Sequence, residues 1–228
     1  MRLLVSVANA EEATAALAGG ADIIDAKDPS SGALGAVTAT VLREICGVVR
    51  SARPVTAALG DASDTAAIER SAREFASSGA VFVKIGFAGV ESALTITDLI
   101  AAAVHGARSG GDSTGVVAVA YADTGIAFDD LVAAAAPGGA EGVLIDTADK
   151  DGPGLRQLVT PHTLARWVAT ARDAGLFMAV AGRLTAGDLL FVRESGADIA
   201  GVRGAACDEG RNGRVAAARV RLLRTASA

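Results

Sequence analysis

A short glycine–alanine motif recurs four times in the chain, and an apolar run follows each copy directly. The copies are Gly-Gly-Ala-Asp at 19–22, Ser-Gly-Ala-Val at 78–81, Gly-Gly-Ala-Glu at 138–141 and Ser-Gly-Ala-Asp at 195–198. Their alanines stand at positions 21, 80, 140 and 197, so neighbouring copies are 59, 60 and 57 residues apart. Each copy is typical of a helix that ends at glycine and leads through a short turn into a buried strand.

Four more apolar runs lie between these copies, and stretches of helical character separate all the runs. The additional runs are residues 3–7, 55–59, 116–121 and 177–181. The helical stretches are residues 10–18, 38–49, 64–77, 91–107, 129–136, 163–174, 186–194 and 214–223. Eight strands that alternate with eight helices predict a single (β/α)8 TIM barrel, an α/β fold that forms one catalytic domain over residues 1–228. A doubly wound open sheet is the alternative, but it does not predict such even spacing.

The composition narrows the kinds of partner that the chain can take. Its formal net charge is -5, which argues against nucleic acid as a partner. The longest stretch without charge has 14 residues, whereas a membrane-spanning helix needs about 20 apolar residues. The N-terminal segment lacks the long apolar region of a signal peptide, and Cys46 and Cys207 form no pair motif. We therefore expect a cytoplasmic protein with reduced thiols that binds neither membrane nor nucleic acid.

Lysine is rare in this chain, and its positions are related. Of 21 basic residues only three are lysines, Lys27, Lys84 and Lys150. They lie at or just past the ends of the second, fourth and sixth predicted strands, which is the active-site mouth of a barrel. A single lysine is more often a solvated cation, but arginine serves that purpose elsewhere in this chain. Only an amine can lose its proton and form a Schiff base, so we predict that these lysines are catalytic.

Two aspartates accompany the lysines. Asp25 and Lys27 are two residues apart on one strand, so their side chains share a face. Asp146 ends the sixth strand, four residues before Lys150. A carboxylate beside an amine can exchange protons with it and change its pKa. The alternative is that these aspartates form buried salt bridges that hold the loops.

A phosphate site is expected in the loops after the seventh and eighth strands, where barrels commonly bind phosphate. Small residues there expose backbone N–H groups to an anion. The candidates are Gly182, Arg183, Arg203, Gly204 and Ala205.

Aromatic and acidic residues after the fifth strand, Tyr121 and Asp123, are expected to line the substrate site. The two histidines, His105 and His162, are not grouped with cysteines or acids at ligand spacing. We therefore expect no metal site.

Several segments resemble a known family. Ala-Asp-Ile-Ile-Asp-Ala-Lys-Asp-Pro at 21–29, with Gly-Ala-Leu-Gly-Ala at 32–36, resembles the N-terminal signature of the (5-formylfuran-3-yl)methyl phosphate synthases. The segments at 82–86, 146–152 and 201–207 are also similar to that family, and the resemblance runs from residue 3 to about 215. Arg183 departs from it, because the family carries a smaller residue after Ala-Gly.

The resemblance implies a barrel like that of class I aldolases. Such an enzyme joins two molecules of glyceraldehyde 3-phosphate into a furan, with loss of phosphate and water, for the biosynthesis of methanofuran-type C1 carriers. Lys27 would then form the Schiff base and Lys84 would accept a proton. Asp25, Asp146 and Lys150 would support the proton transfers, and no cofactor is implied.

Other functions remain open from the residues alone. One is a sugar-phosphate isomerase or epimerase, or another aldolase of class I type; an isomerase or epimerase needs no imine, so its activity survives loss of Lys27. Another is a non-catalytic barrel that binds a phosphosugar, which tolerates arginine at all three lysine positions. A homo-oligomer is possible, since the apolar helix at 129–136 is able to pack between subunits.

Overall fold

Eight parallel strands close into a barrel in the computed structural model, which describes residues 1–111 and 113–228. The strands are β1 (Arg2–Val7), β2 (Ile23–Ala26), β3 (Val55–Asp61), β4 (Phe82–Gly86), β5 (Gly115–Tyr121), β6 (Gly142–Asp146), β7 (Phe177–Val180) and β8 (Ile199–Val202). Each strand pairs with its neighbours in the sequence, and β8 closes the barrel by pairing with β1 through Leu3 and Ala200. The predicted (β/α)8 barrel is therefore confirmed, and an open doubly wound sheet is excluded.

Helices follow the strands on the outside of the barrel. They are α1 (Ala10–Gly19), α2 (Ala39–Val49), α3 (Thr65–Ser77), α4 (Ala93–Gly110), α5 (Phe128–Gly138), α6 (Leu155–Leu158), α7 (Pro161–Asp173), α8 (Leu189–Glu194) and α9 (Ala217–Ser227). Five of them begin at a side chain that accepts a hydrogen bond from the first turn: Asn9, Thr38, Asp64, Ser92 and Thr160. These caps satisfy N–H groups that a helix leaves without partners, which fixes where the helices start.

The strands bury both of their faces, in two separate apolar clusters. Side chains such as Leu4, Ile23, Val117 and Leu144 fill the interior of the barrel. A larger cluster packs the outer faces of the strands against the helices. Burial on both sides explains why the strands are apolar runs in the sequence, without alternation.

The helices after β6, β7 and β8 differ most from the predicted ones. The last helix begins at Ala217 rather than at 214, because Val215 forms a bridge with Cys207 and the N–H of Ala216 donates to Ala206. The segment between β6 and β7 contains the short helix α6 ahead of the predicted helix, which is α7. The predicted helix at 186–194 divides into a single 3-10 turn followed by α8.

No helix within residues 1–111 and 113–228 is both long and apolar enough to cross a bilayer.

Candidate active site

A cavity of about 560 Å³ opens at the carboxyl ends of the strands. Side chains from β1, β2, β4, β6 and β8 form its floor, and the loops after β2, β6, β7 and β8 form its walls. Its volume is in the range of small-molecule sites. The five residues with predicted catalytic roles all line it: Asp25, Lys27, Lys84, Asp146 and Lys150.

One ion pair lies at the bottom of this cavity. Lys84 Nζ is 2.5 Å from Asp25 Oδ1, and both side chains are almost fully buried. The hydroxyls of Ser6 and Thr56 also donate to this carboxylate, at 2.9 and 2.7 Å. Ser6, Asp25 and Thr56 are register partners across β1, β2 and β3. Three donors therefore stabilise the charge of Asp25 in a buried position.

Asp146 joins the other two lysines. Its carboxylate accepts a hydrogen bond from Lys150 Nζ at 2.7 Å and another from the N–H of Thr147 at 2.8 Å. Its second oxygen is 4.0 Å from Lys27 Nζ. Burial alone would raise the pKa of Asp146, but the charges of Lys150 and Lys27, with these hydrogen bonds, hold it below its ordinary value. Lys150 also donates to the carbonyl of Thr147, so its ammonium is fixed in place.

Lys27 differs from the other two lysines in how its amine is held. Among the residues that the structure describes, none accepts a hydrogen bond from its Nζ, and the residue is only 8% exposed. Burial lowers the pKa of Lys27 to about 8; Asp146 and Asp25 oppose this shift, whereas Lys84 and Lys150 add to it. A buried amine with a lowered pKa is the usual form of a nucleophilic lysine.

The loops after β7 and β8 form the wall where phosphate is expected. Gly182 has φ 105° and Arg183 has φ 57°, so consecutive residues adopt the left-handed region. In the part of the chain that the structure describes, the N–H groups of Gly182, Arg183, Gly204 and Ala205 have no acceptor. All four residues line the cavity. Successive backbone N–H groups in such turns commonly form anion sites.

The side chain of Arg203 has a different role from the one expected. Its guanidinium forms a buried ion pair with Glu12, at 2.7 Å. The remaining N–H groups donate to the carbonyls of Ser6, Arg211 and Gly213. A guanidinium has five N–H donors, and protein acceptors take all of them here. In the β8 loop, the candidate phosphate ligands are therefore the backbone N–H groups of Gly204 and Ala205, and no longer the Arg203 side chain.

Tyr121 and Asp123 require a correction, because neither lines the cavity. The Tyr121 hydroxyl donates to Asp61 at 2.9 Å, and burial and Asp61 together raise the pKa of Tyr121. Asp123 accepts the N–H groups of Ala148 and Asp149, each at 2.8 Å. Tyr121 therefore contacts the end of β3, and Asp123 holds the loop after β6.

The sequence did not reveal four residues that the structure places at or beside the site. Ser6 and Thr56 are recognisable only once the strands are aligned, and Glu12 meets Arg203 across 191 positions of the chain. Arg211 lies in the loop after β8, where it resembles any exposed arginine in the sequence. In the structure its Nη2 donates to the carbonyl of Gly32, at 2.6 Å, in the loop after β2.

Within residues 1–111 and 113–228 there is no group of three or more side chains able to hold a metal ion. His105 lies on α4 and contacts Glu69 at 3.1 Å on the protein surface.

Comparison with known proteins decides the family. The model of the 4-HFC-P synthase family matches residues 3–224. The chain belongs to this family. The (5-formylfuran-3-yl)methyl phosphate synthase of Methanopyrus kandleri is 37% identical to it over 218 residues, which cover 93% of this chain and 92% of that protein. The synthase of Methanocaldococcus jannaschii is also 37% identical, over 94% of each chain. The resemblance deduced from the N-terminal motif is thus confirmed, and membership places the chain among synthases, enzymes that act on small molecules.

Solved structures agree on the fold of this family member. A 3-hexulose-6-phosphate synthase superposes with a TM-score of 0.68 over 100% of both chains, at 23% identity. A deoxyribose phosphate aldolase from Aeropyrum pernix gives a TM-score of 0.67 over 98% of this chain and 88% of its own, at 16% identity. At these identities the likeness concerns the barrel alone.

Proposed function

We propose that the protein condenses two molecules of glyceraldehyde 3-phosphate into (5-formylfuran-3-yl)methyl phosphate through a Schiff base at Lys27. One phosphate and two molecules of water leave in the overall reaction. The observation that carries the proposal is the amine of Lys27, which is buried, has a pKa of about 8 and donates no hydrogen bond to the residues that the structure describes. It lies in a family whose curated relatives bear the name of this product.

The first step is imine formation. The neutral amine of Lys27 attacks the carbonyl carbon of one triose phosphate and forms a C–N bond, and the carbinolamine then loses its oxygen as water. Asp146 is the proton shuttle for this loss, since its carboxylate is 4.0 Å from Lys27 Nζ. Lys150 holds Asp146 in position and can replace the proton that it passes on.

The second step is deprotonation next to the imine. The iminium draws electrons and acidifies the adjacent carbon, and Lys84 takes the proton. Asp25 lies 2.5 Å from Lys84 Nζ and holds this amine in position for the transfer. The resulting enamine attacks the aldehyde carbon of the second triose phosphate, which forms the new C–C bond.

The remaining steps close the furan. Hydrolysis of the imine restores the carbonyl and releases Lys27, a hydroxyl attacks this carbonyl carbon to form the ring, and two waters and one phosphate are eliminated. Imine formation and hydrolysis cancel in water, so two triose phosphates give one product, one phosphate and two waters. The stability of the aromatic furan favours formation of the product over the earlier intermediates. The chemistry needs proton transfers and no redox step, so we propose that the enzyme uses neither metal nor organic cofactor.

The backbone N–H groups of Gly182, Arg183, Gly204 and Ala205, with the side chain of Arg183, would hold the phosphate of the triose bound to Lys27. We further propose that the enzyme is cytoplasmic, forms one catalytic domain and supplies the furan of a methanofuran-type C1 carrier.

Glyceraldehyde 3-phosphate supplied alone tests this function. The wild-type protein should produce the ultraviolet absorbance of a furan and one phosphate for each furan. Sodium borohydride added during turnover should reduce the imine, and peptide mass spectrometry should place the adduct on Lys27. Label on Lys84 or Lys150 and never on Lys27 would show that the assignment is wrong.

The Lys27→Arg variant separates the alternatives. It should lose furan formation and trapping together, because a guanidinium forms no imine. An isomerase or epimerase would instead interconvert sugar phosphates after this change, and a binding protein would bind substrate without turnover in either form.

A further inference from the structure

Six cationic side chains line the active-site cavity, and three of them are neutralised within the protein. The neutralised pairs are Lys84 with Asp25, Lys150 with Asp146 and Arg203 with Glu12. A fourth cation, Lys27, is the proposed nucleophile. The two others are Arg183 and Arg211, and within the described residues neither forms a salt bridge with a carboxylate.

Two arginines that make no salt bridge to the described residues match two phosphorylated substrates. Asp151 and Glu209 also line the cavity, but within the described residues neither forms a salt bridge with these arginines. Arg183 belongs to the β7 loop, beside the backbone groups proposed to bind the phosphate of the first triose. Arg211 stands apart from that site, because its guanidinium reaches Gly32 in the loop after β2. The strand β2 leads directly to Lys27, so Arg211 spans from the β8 loop to the side of the mouth where the nucleophile lies.

The backbone of Arg211 is held in place, whereas most N–H groups of its guanidinium remain available. Its carbonyl accepts a hydrogen bond from Arg203 Nε at 2.9 Å, which ties its backbone to the buried Arg203–Glu12 pair. Its side chain is half-buried and makes a single hydrogen bond to the residues that the structure describes, from Nη2 to the carbonyl of Gly32. Four N–H donors therefore remain for another acceptor.

A phosphate dianion is a better partner for these donors than a neutral carbonyl. Guanidinium binds phosphate through two parallel hydrogen bonds that are assisted by charge, a geometry that lysine cannot supply. We propose that Arg211 binds the phosphate of the second triose phosphate, the molecule whose aldehyde receives the enamine. This inference rests on the proposed condensation and adds a second phosphate site to it.

The test compares Arg211→Gln with Arg221→Gln. Arg221 is an exposed residue of α9, on the outside of the barrel, so it controls for the loss of one positive charge. Two reactions are measured with glyceraldehyde 3-phosphate: borohydride trapping of Lys27, which needs one substrate molecule, and furan formation, which needs two.

We expect Arg211→Gln to trap Lys27 within about twofold of wild type while its furan turnover at subsaturating substrate falls roughly a hundredfold, the order of a lost charge-assisted contact. Arg221→Gln should match wild type in both reactions. Arg211→Lys, which keeps the charge without the paired donors, should fall about tenfold. This milder variant decides the matter if Arg211→Gln does not fold, as judged by circular dichroism.

Three results would overturn the inference. Furan turnover in Arg211→Gln, or in Arg211→Lys if only that variant folds, equal to that of Arg221→Gln would show that Arg211 binds no substrate. A parallel loss of trapping would place Arg211 at the first substrate. If the wild type gives neither furan nor a Lys27 adduct, the proposed function itself fails, and that result is distinct from failure of the second site alone.

Discussion

At the scale of single residues, the protonation of Lys27 should control the first chemical step. Its pKa is lowered from 10.5 to about 8, and only the neutral amine attacks a carbonyl. The neutral fraction grows as the pH rises through the pKa, so the rate of imine trapping should rise from pH 6 and level off above about pH 8. An ordinary lysine would continue to gain up to about pH 10.4. Rates of borohydride trapping with subsaturating substrate measure this profile in the free enzyme.

The pH profile of trapping in the Asp146→Asn variant, compared with that of the wild type, tests the electrostatic effect of Asp146 on Lys27. The negative charge of Asp146 raises the pKa of Lys27, against the larger effect of burial. Its removal should therefore move the midpoint of the trapping profile to lower pH, even though the maximum rate falls with the loss of the proton shuttle. A midpoint that moves upward would contradict the assigned electrostatics.

A second prediction at this scale concerns Glu12 and stability. Glu12→Gln leaves the buried guanidinium of Arg203 without its carboxylate, and breaking a buried pair in this way costs about 3–5 kcal/mol. Urea denaturation should show this loss in the free energy of unfolding. The neighbouring pair of Glu11 and Arg214 is an ideal control, because these side chains are 77% and 83% exposed. Glu11→Gln should change the free energy of unfolding by less than about 0.5 kcal/mol.

The residues of the site differ in how far the sequence could identify them. Lys27, Lys84 and Asp25 are identifiable because each lies in a strand or directly after it, where the repeat already fixes its position on the barrel. Glu12 and Arg211 are not, because their contacts join loops that are far apart in the sequence and follow no periodic pattern. Tyr121 ends its strand at the mouth of the barrel, as a substrate-lining residue would. Its hydroxyl donates to Asp61 instead, and the spacing of residues in the sequence does not predict that partner.

At the scale of elements, glycine has opposite roles in two helices. Gly106 of α4 lies so close to α3 that an added Cβ would approach the carbonyl of Glu69 to 2.1 Å. Gly47 of α2 is exposed and has nothing within 4 Å of that position. Gly106→Ala should therefore destabilise the protein by about 1–3 kcal/mol through forced separation of the helices. Gly47→Ala should stabilise it by about 0.5–1 kcal/mol, because alanine loses less backbone entropy.

Thermal and urea unfolding of the two alanine variants test this contrast directly. Equal effects of the two substitutions would mean that helix propensity, and not the close approach of α3 and α4, decides the outcome. The sequence predicted both helices from their periodicity, but it could not tell these glycines apart. The distinction depends on the distance between two helices, which is a property of the assembled barrel.

At the scale of the whole molecule, the active-site cavity is lined mainly by cations although the protein as a whole is acidic. The chain carries a net charge of -5, yet six cationic and four carboxylate side chains line the cavity. A phosphorylated substrate therefore meets a positive mouth on an acidic protein. The sequence supplied the total, and the repeat placed the lysines at one end of the barrel. The sequence also placed Arg183 and Arg203 in the loops after β7 and β8, but only the structure shows that Arg203 is paired with Glu12 and that Arg211 lines the same cavity.

This separation of charge predicts the sign of the salt effect on catalysis. If the local field of the mouth guides the substrate, added salt screens an attraction, and kcat/KM for glyceraldehyde 3-phosphate should fall about two- to fivefold between 0.05 and 0.5 M NaCl. If the net charge dominated, salt would screen a repulsion, and kcat/KM would rise. Borohydride trapping of Lys27 with uncharged glyceraldehyde is the control, and its rate should not depend on salt. A rise of kcat/KM with salt for the phosphorylated substrate would show that the arginines of the mouth do not attract it from solution.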